Sequence, residues 1–593
     1  MKDRKNIPTE QTWNLASIYA NDAEWEADLL TLDPILNDLL QYRGKLGQGA
    51  EKLARAFQLR DDLGRKMNKI YVYAHLHADQ DTTNAHYMGL QGRIQTKAVQ
   101  IGAALSWMDP EILALSSTTI AEYSKAAALK PFARALELLL RQKPHTLSEK
   151  EENLLTQASD PLSSIHKAFG MLNNADMRFP NTKDDQGKSV ELTHGNYIKF
   201  LDNPNRDVRK QAFEALFSAY GAHKHTFAAI LEGQTKMHVF HARTKNFKSS
   251  LEASLFDDNV PKSVYDSLVA TVRGHLPLFH RYIRLRKRLL QLDHLDMYDL
   301  YVPIVKDFKL NVPFETARGW ITDAFKVMGE DYTKVVESAF RDRWIDVHES
   351  RGKRSGAYSS GCYDTMPFIL MNYQDNLNSA FTLAHELGHS LHSYYSRKTQ
   401  PHTTASYRIF VAEVASTTNE ALLHHHLLKS TTDPKFRAYL LNHFCEEFRG
   451  TVFRQTMFAE FERMIHAKVE AGVSLTPDEL CQAYYQLNAD YYGPDVQADR
   501  RIELEWARIP HLYYGFYVYK YATGFSAAQA FSSRILAGDR KAIDAYQRFL
   551  CAGGSKDPLD ILIDAGVDLR GPQPIVDALK NFEAAVTELE KLL

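Results

Sequence analysis

Apolar residues recur along most of this chain at the three- and four-residue spacing that lines one face of a helix. Between Arg206 and Tyr220 they fall at Val208, Ala212, Phe213, Leu216 and Tyr220. Amphipathic stretches of the same kind cover residues 50–78, 206–245, 262–291, 315–341, 434–470 and 574–592. Asp22-Ala-Glu-Trp-Glu26 reads as a helix start, its acids placed where they meet the positive end of the dipole. No stretch repeats at a fixed period, so a solenoid is not supported. Two segments break the pattern. Met177–Pro180, Thr182–Gly187 and Val190–Leu192 read as a small hairpin, which sets an N-terminal helical region, 1–190, apart from the remainder, 191–593. Gly352–Asp375 gathers Gly356, Tyr358, Gly361 and Tyr363 before the short apolar run Pro367–Tyr373. That run reads as a strand whose edge is open to an extended peptide.

Composition narrows the function classes. The 593 residues are 44% hydrophobic and 24% charged, an ordinary globular balance that can bury a large core. With 71 Lys+Arg against 73 Asp+Glu, the net charge of −2 offers no electrostatic handle for nucleic acid or anionic lipid. Cys362, Cys445, Cys481 and Cys551 are far apart and form no disulfide framework, which fits a reducing compartment. No run of about 18 apolar residues occurs, and the charged start Met1–Pro8 lacks the apolar stretch of a signal peptide. The expectation is a cytoplasmic protein with neither nucleic-acid nor membrane partner.

The chemistry concentrates at His385-Glu386-Leu-Gly-His389. On a helix, residues four apart lie one above the other, so His385 and His389 aim two imidazoles at one point. Neutral imidazole suits zinc, and Glu386, about 100° around the helix, reaches a water that the ion activates. Glu386 is then the general base that later protonates the leaving amine. A catalytic site needs a third ligand and an open position. The best downstream source is Glu413 in Phe410-Val-Ala-Glu413, with Ser416 and Glu420 on the same face as orienting partners for the ligands. Glu420 reads equally as a surface carboxylate. His392 competes for the third place, although one helix does not easily wrap three ligands around an ion. The His424-His-His426 run reads as a solvated face, because consecutive helical residues diverge.

The second unusual stretch is Pro510 to Tyr521. Pro510 suits the first turn of a helix, after which His511, Tyr514, Tyr517 and Tyr521 fall along one face. Phenols are neutral donors that can stabilise an oxyanion, while the alternative is an aromatic core helix. Four polar tips on one face would all need buried partners in such a core.

His385-Glu-Leu-Gly-His389, Phe410-Val-Ala-Glu413, Ile509-Pro-His511-Leu-Tyr-Tyr514 and Thr12-Trp-Asn-Leu15 resemble the oligoendopeptidase F group of the thimet-oligopeptidase-like (M3) zinc peptidases. Leu172-Asn-Asn-Ala-Asp176, Asp207-Val-Arg-Lys210 and Cys551-Ala-Gly-Gly-Ser-Lys-Asp-Pro558 extend the resemblance over nearly the whole chain. It implies a mainly α, two-lobed helical metallopeptidase with a deep central cleft and a small β-sheet beside the HExxH helix. It implies one zinc per chain on His385, His389 and Glu413, with Glu386 as base. His511 and Tyr514, with Tyr517, correspond to the family's substrate and oxyanion residues, and Tyr521 shares their face. More distant members carry a Gly-rich loop after the histidine. Here only Leu512 and Tyr513 separate His511 from Tyr514, which leaves the oxyanion donor open among the tyrosines. The expected activity is endopeptidic hydrolysis of short peptides by a monomer or small homo-oligomer. The rivals are a non-catalytic peptide binder and a hydrolase or exopeptidase of another class.

Overall fold

A computed structural model describes residues 3–305, 308 and 310–593. The chain is mainly helical, with two small sheets. The amphipathic stretches become Ala50–Gln80, Arg206–Ala222 with Lys224–Thr244, Lys262–Gly274 with Leu276–Leu290, Phe314–Phe325 with Glu330–Arg341, and Gln573–Leu592. Residues 434–470 run as Pro434–Glu447 and Arg454–Glu470, joined by a wider π turn, Phe448–Phe453. The helix expected at Asp22 spans Asp22–Leu30, capped by the Asn21 side chain on the Glu24 amide. No helix among the described residues is long and apolar enough to cross a membrane.

Contacts divide the chain into two compact units, one of residues 1–144, 310–427 and 531–567, the other of 145–309, 428–530 and 568–593. In the first unit Trp13, Trp25, Leu63, Ile70, Tyr73, Phe368 and Leu370 share a core. The Trp25 indole donates to the Ile70 carbonyl at 2.8 Å, and Trp13 meets Phe368 edge-on at 6.3 Å. Gly553, with φ +53°, lies where a Cβ would sit 2.2 Å from the Thr404 carbonyl oxygen, and nearby Asp557 pairs with Arg134 and Arg141. In the second unit the hairpin is present as β1, Thr182–Lys183, antiparallel to β2, Ser189–Val190. Arg209 and Asp299 form a buried pair at 2.6 Å there, and Tyr220 donates to Asn173 at 2.6 Å.

The other sheet belongs to the first unit and stands just before the histidine motif. It runs β3, Ile345–Asp346; β5, Phe368–Leu370; β4, Tyr358–Ser360, with β5 in the middle. The sequence reading of 367–373 as an exposed edge is therefore wrong. On one side β5 pairs with β4; on the other, the amides of Ile369, Met371 and Tyr373 donate to the carbonyls of Trp344, Asp346 and Val347. Alternation could not reveal this, since a fully apolar run reads alike at an edge or in the middle.

The chain then turns into the motif helix, Leu377–Thr399, whose start is capped by Asn376 accepting from the Ser379 amide at 2.9 Å. Ser359 on β4 and Ser390 on this helix join through their hydroxyls at 2.8 Å. The glutamate helix, Ile409–Ser430, packs against it at Gly388. A Cβ at Gly388 would meet Ser416 Cα at 2.5 Å and the Ala415 carbonyl oxygen at 2.7 Å, so only glycine permits this approach. Asn419 donates to the Ala384 carbonyl at 3.3 Å and accepts from Tyr332 at 2.7 Å, fixing the two helices in register. Gly388→Ala must separate them, because both obstacles are backbone. We expect it to lower the affinity for a divalent metal ion by about ten-fold or more while far-UV circular dichroism stays helical, and a chelator competition titration on the two proteins, with zinc as the probe, checks this.

Candidate metal centre

On the motif helix, His385 and His389 lie four residues apart, their rings edge-on with centroids 4.8 Å from one another. The glutamate helix brings Glu413 Oε2 to 3.3 Å from His385 Nε2 and 3.5 Å from His389 Nε2. One ligand atom from each residue lies within 4.8 Å of the other two, and among the described residues this is the group able to hold a metal ion. A tetrahedral ion with bonds of about 2.0–2.2 Å separates its ligand atoms by roughly 3.3–3.6 Å, so the donor set fits zinc in chemistry and the two histidine–glutamate separations match its spacing.

The supporting contacts fix the orientation of each donor. Glu420 accepts from His385 Nδ1, which leaves Nε2 directed at Glu413. The even choice left open for Glu420 is thus decided for the orienting partner. Ser416 donates to Glu413 Oε2 at 3.0 Å. Burial pulls the His385 pKa down, but the hydrogen bonds and charges of Glu413 and Glu420 outweigh it, and the imidazole is held well above its ordinary range. Burial pushes Glu413 up, and its bonds to His385 and His389 reverse this and hold it well below the carboxylate range. In the absence of an ion, the cluster therefore keeps a proton on nitrogen between two carboxylates.

Glu386 lies beside these ligands, 7% exposed. Its carboxyl is raised by burial against the opposing pull of His385 and His389. His392 stands apart from the donor set. It is buried, stacks on Tyr407 at 3.7 Å and meets Phe549 at a tilt with centroids at 5.0 Å, and burial pushes it down to about 3. The run after Glu420 is also different from expectation: His424 is buried beside Phe381, His425 is exposed and His426 is half-buried, so it is not a uniformly solvated face.

In the second unit, the segment after Pro510 is not one continuous helix. A short 3₁₀ turn, Pro510–Tyr513, ends at Gly515 and Phe516, which both have positive φ, and helix resumes at Tyr519–Leu536. The four residues nevertheless gather. The His511 ring lies 5.7, 6.0 and 5.8 Å from those of Tyr514, Tyr517 and Tyr521, and Tyr521 Oη is 3.3 Å from His511 Nε2. Tyr514 is 53% exposed, which argues against the aromatic-core alternative for that side chain. Burial lowers the His511 pKa.

The family model described as "Peptidase family M3" matches residues 199–581, and that described as "Oligopeptidase F" matches residues 111–179. The chain belongs to peptidase family M3. As an M3 metallopeptidase, it is 47% identical over 594 residues to the oligopeptidase PepF of Bacillus subtilis, covering 100% of this chain and 89% of that one. It is 40% identical over 592 residues to the group B oligopeptidase PepB of Streptococcus agalactiae, covering 100% and 98%. The crystal structure of oligoendopeptidase-F from Enterococcus faecium is 39% identical with a TM-score of 0.75, covering 96% of this chain and 99% of that one. The protein is accordingly a hydrolase of peptide bonds.

Reasoning from sequence missed the contributions of Gly388, Asn419 and Tyr332 to this M3 site. Gly388 stands inside the motif as an unremarked spacer, and neither Asn419 nor Tyr332 has a spacing that ties it to the histidines. Two outcomes follow. Glu420→Ala should weaken zinc binding by about 10–100-fold, measured by chelator competition. Zinc affinity should also fall as pH is lowered, because the raised His385 binds the proton that competes with the ion; calorimetry in buffers of different ionisation enthalpy should show proton release on zinc uptake.

Proposed function

We propose that this M3 peptidase is a zinc-dependent endopeptidase that cleaves short oligopeptides in the cytoplasm. The observation that carries the reading is the convergence of His385, His389 and Glu413 on one point with the buried Glu386 beside them. Two imidazoles and one carboxylate form the ligand set of catalytic rather than structural zinc, since a closed structural site needs a fourth protein ligand. The relatives' names, oligopeptidase and oligoendopeptidase, support a peptide substrate cut internally. Four free cysteines support a reducing compartment.

Bound at these three residues, zinc would polarise a carbonyl and lower the pKa of a water to about 7. Glu386 does the proton work. It takes one proton from the water as oxygen attacks the carbonyl carbon, then gives it to the departing amine nitrogen as the C–N bond breaks. Burial raises the basicity of its carboxylate, which suits both directions of transfer. Glu420 and Ser416 keep His385 and Glu413 aimed. His511 and Tyr514, with Tyr517 and Tyr521, are the substrate and oxyanion residues of this reading, supported by their match to the family motif and by their clustering around the His511 ring.

The test is hydrolysis of an internally quenched peptide blocked at both ends, which excludes cleavage that requires a free terminus. Wild type should cut it. Glu386→Gln should lose at least about 10²-fold in kcat with zinc still bound one per chain. Tyr514→Phe should lose about 10–10³-fold if Tyr514 is the oxyanion donor, with the loss appearing in the Tyr517 or Tyr521 variant otherwise. A zinc-loaded wild type that leaves varied blocked peptides intact would refute the endopeptidase reading.

A further inference from the structure

In the second unit, four polar side chains, three of them buried and His238 half-buried, converge on the backbone that carries His511 and Tyr514. Glu462 and His466 project from Arg454–Glu470, and Gln234 and His238 from Lys224–Thr244. Glu462 is fully buried, and its Oε1 accepts from the Phe516 amide at 2.6 Å. His466 Nδ1 lies 2.8 Å from the Glu462 carbonyl oxygen, so Nδ1 carries the hydrogen and Nε2 accepts. His466 Nε2 is 3.0 Å from His238 Nδ1, which must therefore donate. His238 Nε2 is left to accept from Gln234 Nε2 at 3.0 Å, and the same amide nitrogen donates to the Tyr513 carbonyl at 2.9 Å. The two imidazoles lie nearly parallel, 7° apart with centroids at 5.3 Å. A third helix, Ser250–Phe256, adds Ser254, which donates to the Gly515 carbonyl at 2.9 Å.

The backbone held in this way is strained. Gly515 has φ +71°, which glycine adopts freely, and Phe516 has φ +53°, a left-handed conformation that a bulky side chain disfavours. A Cβ on Gly515 would lie 3.3 Å from the His238 ring, so residue 515 is confined by the network from the side as well. The Phe516 ring sits 4.4 Å from His466 and 5.9 Å from Tyr265. Glu462 Oε2 has no partner among the described residues, an unfavourable state for a buried oxygen. Packing alone does not account for such a group, since an apolar side chain would fill the same position more stably.

We propose that Glu462, His466, His238 and Gln234 are positioning residues for catalysis: they lock the backbone at 513–516 and thereby set the aim of His511 and Tyr514. The inference rests on the assignment of His511 and Tyr514 to substrate. Burial raises Glu462 to about 8 and lowers His238 to about 3 and His466 to about 4, so the chain is uncharged at neutral pH. Gln is then the closest match to the native Glu462, and Met is a match in shape without the acceptor.

The experiment compares wild type, Glu462→Met and Glu462→Gln on the blocked peptide, alongside hydrogen exchange of residues 511–518. Glu462→Met should lower kcat by about 10–100-fold with KM within about three-fold and zinc content unchanged, and should speed exchange of the Phe516 amide by about ten-fold or more. Glu462→Gln should recover most of both losses. Combining Glu462→Met with Tyr514→Phe should cost less than the product of the two single effects, because both act through one group. A folded Glu462→Met with wild-type kcat overturns the proposal, whether or not exchange changes. If Glu462→Met does not fold, Ser254→Ala takes its place, with an expected fall of about 3–10-fold in kcat and unchanged kcat as the refuting result. Wild type inert on all blocked peptides removes the substrate assignment instead, and the exchange data still decide whether the network holds the segment.

Discussion

At Gly388 two helices of the first unit pass so close that the Cα of Ser416 occupies almost the place a methyl group would take. This contact determines where Glu413 stands relative to His385 and His389. Ligand distances tolerate only about 0.2 Å, whereas a side chain at residue 388 would force a larger backbone separation. The ladder from Ala384 through Asn419 to Tyr332 prevents the helices from sliding along one another while they remain in contact. Dispersion, steric exclusion and two hydrogen bonds thus do structural work whose result is chemical: three donors gathered within 4.8 Å of one another.

The electrostatics follow from that geometry. His385 is flanked by Glu413 and Glu420, so positive charge is favoured at the point between the donors. A proton meets that demand in the free protein and a divalent ion meets it better, because it satisfies both histidines and the carboxylate at once. Glu386 occupies the contrasting environment one residue along: buried, and with no hydrogen bond to a described residue, its carboxyl is raised by burial against the pull of the two histidines. The two glutamates thus sit in opposite environments, Glu413 held low by the histidines and Glu386 raised by burial, which is the contrast the proposed ligand and base roles call for.

Much of this was legible in the sequence, for identifiable reasons. The i, i+4 spacing of His385 and His389 is a property of the helix itself, and Glu413 followed at a distance suited to a second helix. The mainly helical fold follows from apolar periodicity, which is a local signal. What escaped depends on contacts between distant residues. The helix expected through Pro510–Tyr521 is interrupted at Gly515 and Phe516, where Glu462 of another helix accepts from the Phe516 amide, a partner no local pattern announces. The strand at 367–373 was legible as a strand but not as a central one, because its neighbours come from residues 344–347 and 358–360. His424 is buried by Phe381, again a tertiary effect. Burial of His392 against Tyr407 and Phe549 likewise removed a competing ligand that helical spacing alone could not dismiss.

The central claim is that one ion is held by these three residues, and anomalous X-ray scattering at the zinc edge from a zinc-loaded crystal tests it most directly. The account predicts a single strong peak about 2.0–2.2 Å from Nε2 of His385, Nε2 of His389 and a carboxylate oxygen of Glu413, with Glu386 outside bonding distance. A peak that includes His392 or Glu386 among the ligands, or an ion bound elsewhere with these three residues empty, would contradict it.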